Sequence, residues 1–205
     1  MAALFTRSER NIVTNSSVTS PRIAFPCVTL SSKKCAIVSA APVDATMTYV
    51  DSLTNSMNRR AYNIKIEELL SLYSRYNTVF SMIMLDIDDF KKINDDYGHR
   101  IGDNVLINLV QLIKSKIRQN DILYRVGGEE FIISCEQTSI DEVVVISEKI
   151  RKSVEKDLKT LEDKNITISI GVSEVMQNDT ENEIFTRVDK LLYQSKANGK
   201  NQVRY

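Results

Sequence analysis

Tryptophan is absent from this chain of 205 residues, and cysteine and histidine are scarce. The three cysteines, Cys27, Cys35 and Cys135, contain no CxxC pair and leave an odd count. This pattern favours free thiols in a reducing compartment over a disulfide framework. The single histidine, His99, has no second histidine to share a zinc ion, so we expect a structural role for it.

Long apolar runs are also missing. No segment approaches the roughly 18 residues that a membrane helix needs, and the N-terminus lacks the compact apolar core of a signal peptide. The sequence therefore predicts a cytoplasmic protein without a membrane segment.

The charges give no excess of either sign, because Lys and Arg together number 27 and Asp and Glu together number 27. A balanced chain has no global field to collect polyanions, which argues against general nucleic-acid binding. Any affinity for phosphate must come from a local cluster of side chains.

Residues 1–44 differ in composition from the rest of the chain. They are basic, rich in Ser and Thr, and contain all three prolines, Pro21, Pro26 and Pro42. Such a composition resembles a transit peptide or a disordered leader, with short β-prone runs at residues 23–30 and 35–38. We expect a disordered or irregular extension over residues 1–44 and one folded domain over residues 45–205.

Hydrophobic periodicity predicts an α/β fold for the second part, with a mixed central β-sheet flanked by helices. A nearly continuous apolar run at residues 79–87 predicts a strand that is buried on both faces. The predicted helices span residues 53–76, 102–118, 140–161 and 189–197. The predicted strands span residues 79–87, 121–126, 130–135, 166–173 and 202–205.

Acidic residues follow the buried strand. Asp86 ends it, and Asp88 lies two positions on, so strand geometry predicts that both carboxylates point the same way. A carboxylate at the end of an apolar strand needs a partner, because losing its hydration is costly. By itself an Asp-x-Asp pattern is also typical of a solvated strand end.

A second acidic pair follows two glycines. Gly127 and Gly128 separate two short strands, predict a hairpin with positive φ angles, and allow a ligand to approach the backbone. Glu129 and Glu130 come next. A plain turn with exposed carboxylates is the simplest interpretation. If this turn neighbours Asp86, however, the carboxylates form an oxygen-rich site suited to Mg²⁺.

The motif Gly-Gly-Glu-Glu-Phe at residues 127–131 resembles the signature of the GGDEF family of diguanylate cyclases, in a Glu-containing form. Further matches follow in the family's order over about residues 51–201. One departure is Asn55-Ser56 in place of the usual Gly-Leu; Asn tolerates the left-handed backbone of a turn. The other matching segments are Asp51-Ser52-Leu53-Thr54, Asn58-Arg59-Arg60, Asp86-x-Asp88-x-Phe90-Lys91-x-x-Asn94-Asp95, Gly98-His99-x-x-Gly102-Asp103, Ser169-Ile170-Gly171 and Tyr193-x-x-Lys196-x-x-Gly199-Lys200-Asn201.

This resemblance implies a palm-like nucleotide cyclase fold with its active site at a β-hairpin, and it implies roles for individual residues. The implied ligands of Mg²⁺ or Mn²⁺ are Asp86, the backbone of Ile87, Glu129 and Glu130, and Glu130 is also implied in deprotonation. The implied guanine readers are Asn94 and Asp103. The implied phosphate contacts are Lys91, Arg125, Lys196 and Lys200, with Phe90 also assigned to the substrate site and Glu129, Glu130, Arg125 and Lys196 to catalysis.

Simpler interpretations stay open for several of these residues. Asn94 and Asp103 could cap the helices that follow them. Lys196 and Lys200 could be cations near a helix C-terminus that Gly199 terminates.

Arg118 and Asp121 lie just upstream of the glycine turn, at the spacing of the family's inhibitory product site. Arg can grip phosphate or stack on guanine, and Asp can accept from a guanine edge. The resemblance therefore implies inhibition by cyclic di-GMP at this pair. The same R-x-x-D pattern is common as a pair at a helix end.

The implied reaction joins two GTP molecules into cyclic di-GMP and releases two pyrophosphates. Because the product is twofold symmetric and each chain offers one GTP pocket, a homodimer is the expected active species. Two alternatives stay open: a catalytically silent module that binds GTP or cyclic di-GMP, and a cyclase that makes a different cyclic nucleotide.

Overall fold

The structure, a computed structural model, describes residues 48–205. The predicted extension over residues 1–44, together with Cys27 and Cys35, lies outside the described residues. Within the described part, Cys135 is a buried free thiol. No helix in that part is both long enough and apolar enough to span a membrane.

Between residues 48 and 205 the chain forms a mixed six-stranded sheet and five helices, which confirms the predicted α/β class. The elements in chain order are β1 Met57–Asn58, α1 Arg59–Tyr76, β2 Phe80–Ile87, α2 Phe90–Tyr97, α3 His99–Lys114, β3 Ile122–Arg125, β4 Glu130–Glu136, α4 Ile140–Asp157, β5 Ile168–Glu174, α5 Glu181–Ala197 and β6 Val203–Arg204.

The strands lie in the order β1-β3-β4-β2-β5-β6. Strand β2 runs antiparallel to both neighbours, β4 and β5, and all eight of its residues are buried, as the apolar run predicts. Strands β1 and β6 pair in parallel with β3 and β5 at the two edges. One apolar cluster joins the sheet to α2, α3 and α4, and a second joins it to α1 and α5. The sheet therefore carries helices on both faces.

Helix α5 approaches strand β5 unusually closely at Gly171. A Cβ atom placed there would overlap the carbonyl oxygen of Val188 and lie 2.5 Å from the backbone nitrogen of Leu192. Only a residue without a side chain permits this backbone-to-backbone contact.

Several predicted boundaries were wrong at the helices. Helix α1 begins at Arg59 and not near residue 53, because the Asn58 side chain caps it by accepting from the Ala61 N–H at 3.1 Å. Residues 51–56 form a turn instead, in which Asn55 has a φ of 59°, the left-handed geometry expected from an Asn at this position.

The predicted helix over residues 102–118 is α3, which begins three residues earlier, at His99, and ends at Lys114. Helix α2 was not predicted, and Gly98, with a φ of 81°, separates it from α3. Helix α4 ends at Asp157, before the predicted residue 161, because Leu158 is extended. Helix α5 begins at Glu181, eight residues before the predicted start. Thr180 and Glu183 form its capping box, a signal that is present in the sequence.

Candidate active site

The end of strand β2 brings Asp86 into contact with three other elements. In the sheet, Asp86 lies opposite Glu130 of β4 on one side and Ser169 of β5 on the other. Its carboxylate is 3% exposed. The ammonium of Lys196, in the last turn of α5, lies 2.8 Å from its Oδ2. The buried strand and the hairpin are therefore neighbours, as a shared site requires.

The charges at this point are strongly coupled. Burial raises the pKa of Asp86 to about 6; the Lys196 ammonium opposes this shift, and the charges of Glu129 and Glu130 add to it. Burial also raises the pKa of Glu129, with Lys196 opposing and Glu130 adding. Asp86 and Glu129 thus both interact with the Lys196 ammonium, and the added charge of Glu130 favours a bound cation.

The donor set fits a magnesium ion. Carboxylate oxygens are the ligands that Mg²⁺ prefers, and this ion commonly takes only one or two protein carboxylates plus substrate phosphates. Among residues 48–205, no three Asp, Glu, His or Cys side chains form a complete ligand cluster. The carboxylates of Asp86, Glu129 and Glu130 are nevertheless of the type that this ion takes.

The hairpin turn closes on backbone hydrogen bonds, because the N–H groups of Val126 and Gly127 donate to the carbonyl of Glu130 at 3.0 and 3.3 Å. The prediction that Gly127 and Gly128 take positive φ was wrong, since neither is among the positive-φ glycines of the described residues. Gly127 serves a different need: a Cβ atom there would overlap the Glu130 carboxylate. No protein atom lies within 4 Å of the corresponding position on Gly128.

Arg125 braces this turn. Its Nε and Nη2 donate to the carbonyl of Gly128 at 3.2 and 2.8 Å, and its Nη1 donates to Oδ1 of Asp51 at 3.1 Å. Asp51 also accepts from the backbone N–H of Thr54 at 2.9 Å. The guanidinium is thus engaged within the chain, and its phosphate contact stays a prediction. Sequence reasoning missed this bracing, although Asp51 is part of the segment that resembles the family.

The predicted guanine readers lie beside each other on α2 and α3. A Cβ atom on Gly102 would overlap Oδ1 of Asn94 and lie 3.0 Å from its Cγ, so the Asn94 amide rests directly on Gly102. Asp103 follows Gly102 and is exposed. The alternative role as helix N-caps is wrong for both, because the N-cap residues of α2 and α3 are Asp89 and Gly98.

The first turn of α2 carries Phe90 and Lys91. Lys91 is exposed, as a phosphate contact requires. Phe90 is only 6% exposed and belongs to the apolar core. Its ring also approaches to 3.2 Å the Cβ position of Gly102, so it packs beneath Asn94. The structure therefore places Phe90 largely in the core, and its contact with substrate stays a prediction.

The two C-terminal lysines lie near the end of helix α5, as the simpler interpretation expects, and their phosphate contacts stay a prediction. Lys196 is in the last turn of α5 and reaches Asp86, while Gly199 follows the C-cap with a φ of 107°, as a helix terminator does. Lys200 pairs with Oδ1 of Asp89 at 2.6 Å. The Lys196 ammonium therefore lies at the end of β2, and the Lys200 ammonium lies against the loop that follows β2.

Asp88 lies on the same face of the sheet as Asp86, as strand geometry predicts. Its carboxylate accepts from the hydroxyls of Thr167 and Ser169, and Ser169 lies directly opposite Asp86 in the sheet. Its partners are these hydroxyls, whereas the partner of Asp86 is Lys196.

Arg118 and Asp121 form the pair expected of a helix end. Oδ2 of Asp121 accepts from the backbone N–H of Arg118 at 2.8 Å, and Asp121 is 7% exposed. The Arg118 side chain is exposed. Product recognition by this pair stays a prediction.

Comparison with known proteins agrees with this geometry. Residues 48–202 match the family described as "Diguanylate cyclase, GGDEF domain". The chain is 40% identical over 163 residues to diguanylate cyclase A of Treponema denticola, covering 77% of this chain and 44% of that protein. It is 38% identical over 158 residues to the response regulator PleD of Caulobacter vibrioides, covering 75% of this chain and 35% of that protein. The chain thus spans less than half the length of these relatives.

Solved structures show the same fold. The GGDEF domain of DgcB from Caulobacter crescentus, in complex with c-di-GMP, matches with a TM-score of 0.73 and 30% identity, covering 77% of this chain and 95% of that one. The active GGEEF domain of a diguanylate cyclase from Vibrio cholerae matches with a TM-score of 0.68 and 35% identity, covering 72% and 95%. On its sequence, its fold and the residues gathered at the glycine turn, this chain belongs to the GGDEF family.

Proposed function

We propose that this chain is a diguanylate cyclase, which condenses two GTP molecules into cyclic di-GMP and releases two pyrophosphates. One observation carries the proposal. The sheet register sets Asp86 opposite Glu130, and Lys196 lies within 2.8 Å of Asp86. Acidic groups for a cation and a basic group for phosphate thus meet at one strand end.

Asp86, the carbonyl of Ile87, Glu129 and Glu130 would hold Mg²⁺ or Mn²⁺. When bound, such an ion neutralises triphosphate charge and favours an ionised hydroxyl. Lys91, Lys196 and Lys200 bind the phosphates. Asn94 and Asp103 bind guanine, since a carboxylate accepts from its N–H groups and an amide offers both a donor and an acceptor.

In the reaction the 3′-oxygen of one GTP attacks the α-phosphorus of the other. A new P–O bond forms, the bond from that phosphorus to the β-phosphate oxygen breaks, and pyrophosphate leaves. Glu130 accepts the proton of the 3′-hydroxyl. The same exchange in the opposite direction closes the ring.

Each chain contributes one nucleotide, so two chains related by a twofold axis complete the reaction. Bringing the two nucleotides together in line is itself a large part of the rate enhancement. Cyclic di-GMP then inhibits by binding at Arg118 and Asp121.

The purified protein, incubated with GTP and Mg²⁺, is expected to yield cyclic di-GMP and pyrophosphate, identified by mass. Glu129→Ala is expected to lower turnover roughly a hundredfold or more, since it removes a group that acts on transition-state charge. Its thermal unfolding stays near that of wild type, because Glu129 is outside the core. The matched control is Glu68→Ala on α1, whose side chain is 56% exposed.

The outcomes separate the alternatives. Nucleotide that is bound but unconverted by the wild type supports a silent binding module. A product of another mass supports a different cyclic nucleotide. Wild-type turnover by Glu129→Ala contradicts the metal assignment.

A further inference from the structure

A buried carboxylate that the proposed chemistry does not use lies at the centre of a polar network. Asp88 is 8% exposed. Its Oδ2 accepts from the Thr167 hydroxyl at 2.7 Å and from the backbone N–H of Asn201 at 3.0 Å, and its Oδ1 accepts from the Ser169 hydroxyl at 2.6 Å. Both carboxylate oxygens therefore accept hydrogen bonds: from Ser169 in β5, from Thr167 just before β5, and from Asn201 in the segment after α5.

Asn201 is held from a second direction by helix α4. Its Oδ1 accepts from Nη1 of Arg151 at 2.8 Å, and its Nδ2 donates to Oε1 of Glu155 at 2.8 Å. Arg151 and Glu155 also pair with each other at 3.1 Å. We call Asp88, Asn201, Arg151 and Glu155 the Asn201 clamp.

The segment that the clamp holds has an unfavourable backbone. Gly199, Lys200 and Asn201 have φ values of 107°, 62° and 44°. Two consecutive non-glycine residues in the left-handed region are strained, and such a conformation persists only when the surrounding structure enforces it. The Asn201 clamp supplies that enforcement through hydrogen bonds to charged groups, which are the stronger kind.

The same segment carries one proposed phosphate ligand, Lys200, and follows the helix that carries another, Lys196. Lys200 precedes Asn201 and pairs with Asp89 at 2.6 Å, next to Asp88. The backbone N–H of Lys200 donates to the carbonyl of Ser195 at 3.1 Å, the residue before Lys196. The clamp thus joins Asp88, in the loop after β2, to the segment that carries Lys200 and to the end of the helix that carries Lys196.

We propose that the Asn201 clamp is a positioning device, which fixes Lys196 and Lys200 for the nucleotide triphosphate without touching it. This inference rests on the proposed function, because it assumes that a nucleoside triphosphate occupies the site.

The test compares Asn201→Ala with Asn77→Ala. Asn77 also has a left-handed backbone, with a φ of 55° at the C-cap of α1, but it is remote from the clamp. Both variants lose an Asn from a strained position, so both lose some thermal stability. Only Asn201→Ala is expected to weaken binding of a non-hydrolysable GTP analogue with Mg²⁺, roughly tenfold, as for the loss of charge-assisted hydrogen bonds.

Calorimetry gives the affinity, and initial rates of cyclic di-GMP formation give kcat and KM. We expect KM for GTP to rise more than kcat falls. Arg151→Met, which leaves residue 201 unchanged, is expected to weaken binding in the same direction. The double variant Arg151→Met/Asn201→Ala is expected to be little worse than Asn201→Ala alone, since both act through one clamp.

Wild-type affinity for the analogue in Asn201→Ala, or an equal loss of affinity in Asn77→Ala, overturns the proposed positioning role of the clamp. Additive losses in the double variant also overturn it. If Asn201→Ala does not fold, Arg151→Met decides by the same measurement. Wild-type protein that binds the analogue yet forms no product contradicts the proposed function alone, and wild-type protein that binds no nucleotide contradicts both.

Discussion

Replacing Gly102 with alanine separates stability from nucleotide recognition. The added methyl group would overlap Oδ1 of Asn94 and crowd the Phe90 ring, whose Cζ lies 3.2 Å away. The Asn94 amide is the end of a flexible side chain, so rotation of that side chain relieves the overlap. The substitution therefore displaces one proposed guanine ligand while leaving the backbone in place.

Two opposing effects set the change in the free energy of unfolding of Gly102→Ala. Alanine in place of a helical glycine stabilises a helix by about 1 kcal/mol. Crowding of Phe90 and the forced rotation of Asn94 offset part of this gain, so the free energy of unfolding changes by less than about 1 kcal/mol. The displaced amide loses its hydrogen bonds to guanine at about 1 kcal/mol each, and two bonds correspond to roughly a thirtyfold rise in KM for GTP.

Urea denaturation measures the first quantity, and initial rates over a range of GTP concentrations measure the second. Asn94→Ala and the double variant Asn94→Ala/Gly102→Ala complete the comparison. The double variant is expected to match Asn94→Ala, because no amide remains to displace. Unchanged KM in Gly102→Ala, or losses that add in the double variant, would refute the reasoning.

Three further outcomes are expected. Gly171→Ala lowers the free energy of unfolding by about 1–3 kcal/mol, measured in urea, because the methyl group would overlap the backbone of α5; an unchanged midpoint contradicts the packing. Arg118→Ala relieves inhibition in progress curves with added cyclic di-GMP and leaves the initial rate unchanged; equal inhibition in both proteins rules out the feedback site. In Asp179, burial acts to raise the carboxyl pKa, but hydrogen bonds from Arg187 and the Met176 N–H lower it below its ordinary value of 3.8. The resulting stability is present above about pH 4 and is lost as the pH falls through the folded pKa. In thermal melts, the stability advantage of wild type over Asp179→Asn is therefore expected to shrink below about pH 4. An advantage that stays constant with pH contradicts the assignment.

The sequence predicted the central strand and the hairpin correctly, because their signals are local. An unbroken apolar run specifies β2, and two glycines between β-prone runs specify the turn. The adjacency of Asp86 and Glu130 followed only from the family resemblance and from charge chemistry, since no local pattern encodes which strands are neighbours.

Other features were beyond local reasoning. A glycine can be needed either for a positive φ or for a close contact, and the sequence alone does not distinguish the two. Gly127 makes a close contact, with the Glu130 side chain. Asp88 and Asn201 are 113 positions apart in the chain, so no spacing could indicate their hydrogen bond. The start of α5 is different, because Thr180 and Glu183 form a capping box whose T-x-x-E pattern is local and stands in the sequence.

The two sides of the site around Asp86, Glu129 and Glu130 differ in stiffness, because Gly171 lets α5 pack directly on the sheet. A helix seated backbone against backbone at Gly171 has little freedom to slide or roll. Lys196 follows Leu192 by one helical turn, so its Cα atom has a fixed position relative to the sheet. The opposite wall is the short glycine turn, which two backbone hydrogen bonds and the Arg125 guanidinium hold. Adjustment to an incoming nucleotide therefore falls on that turn, while the α5 side serves as the immobile reference.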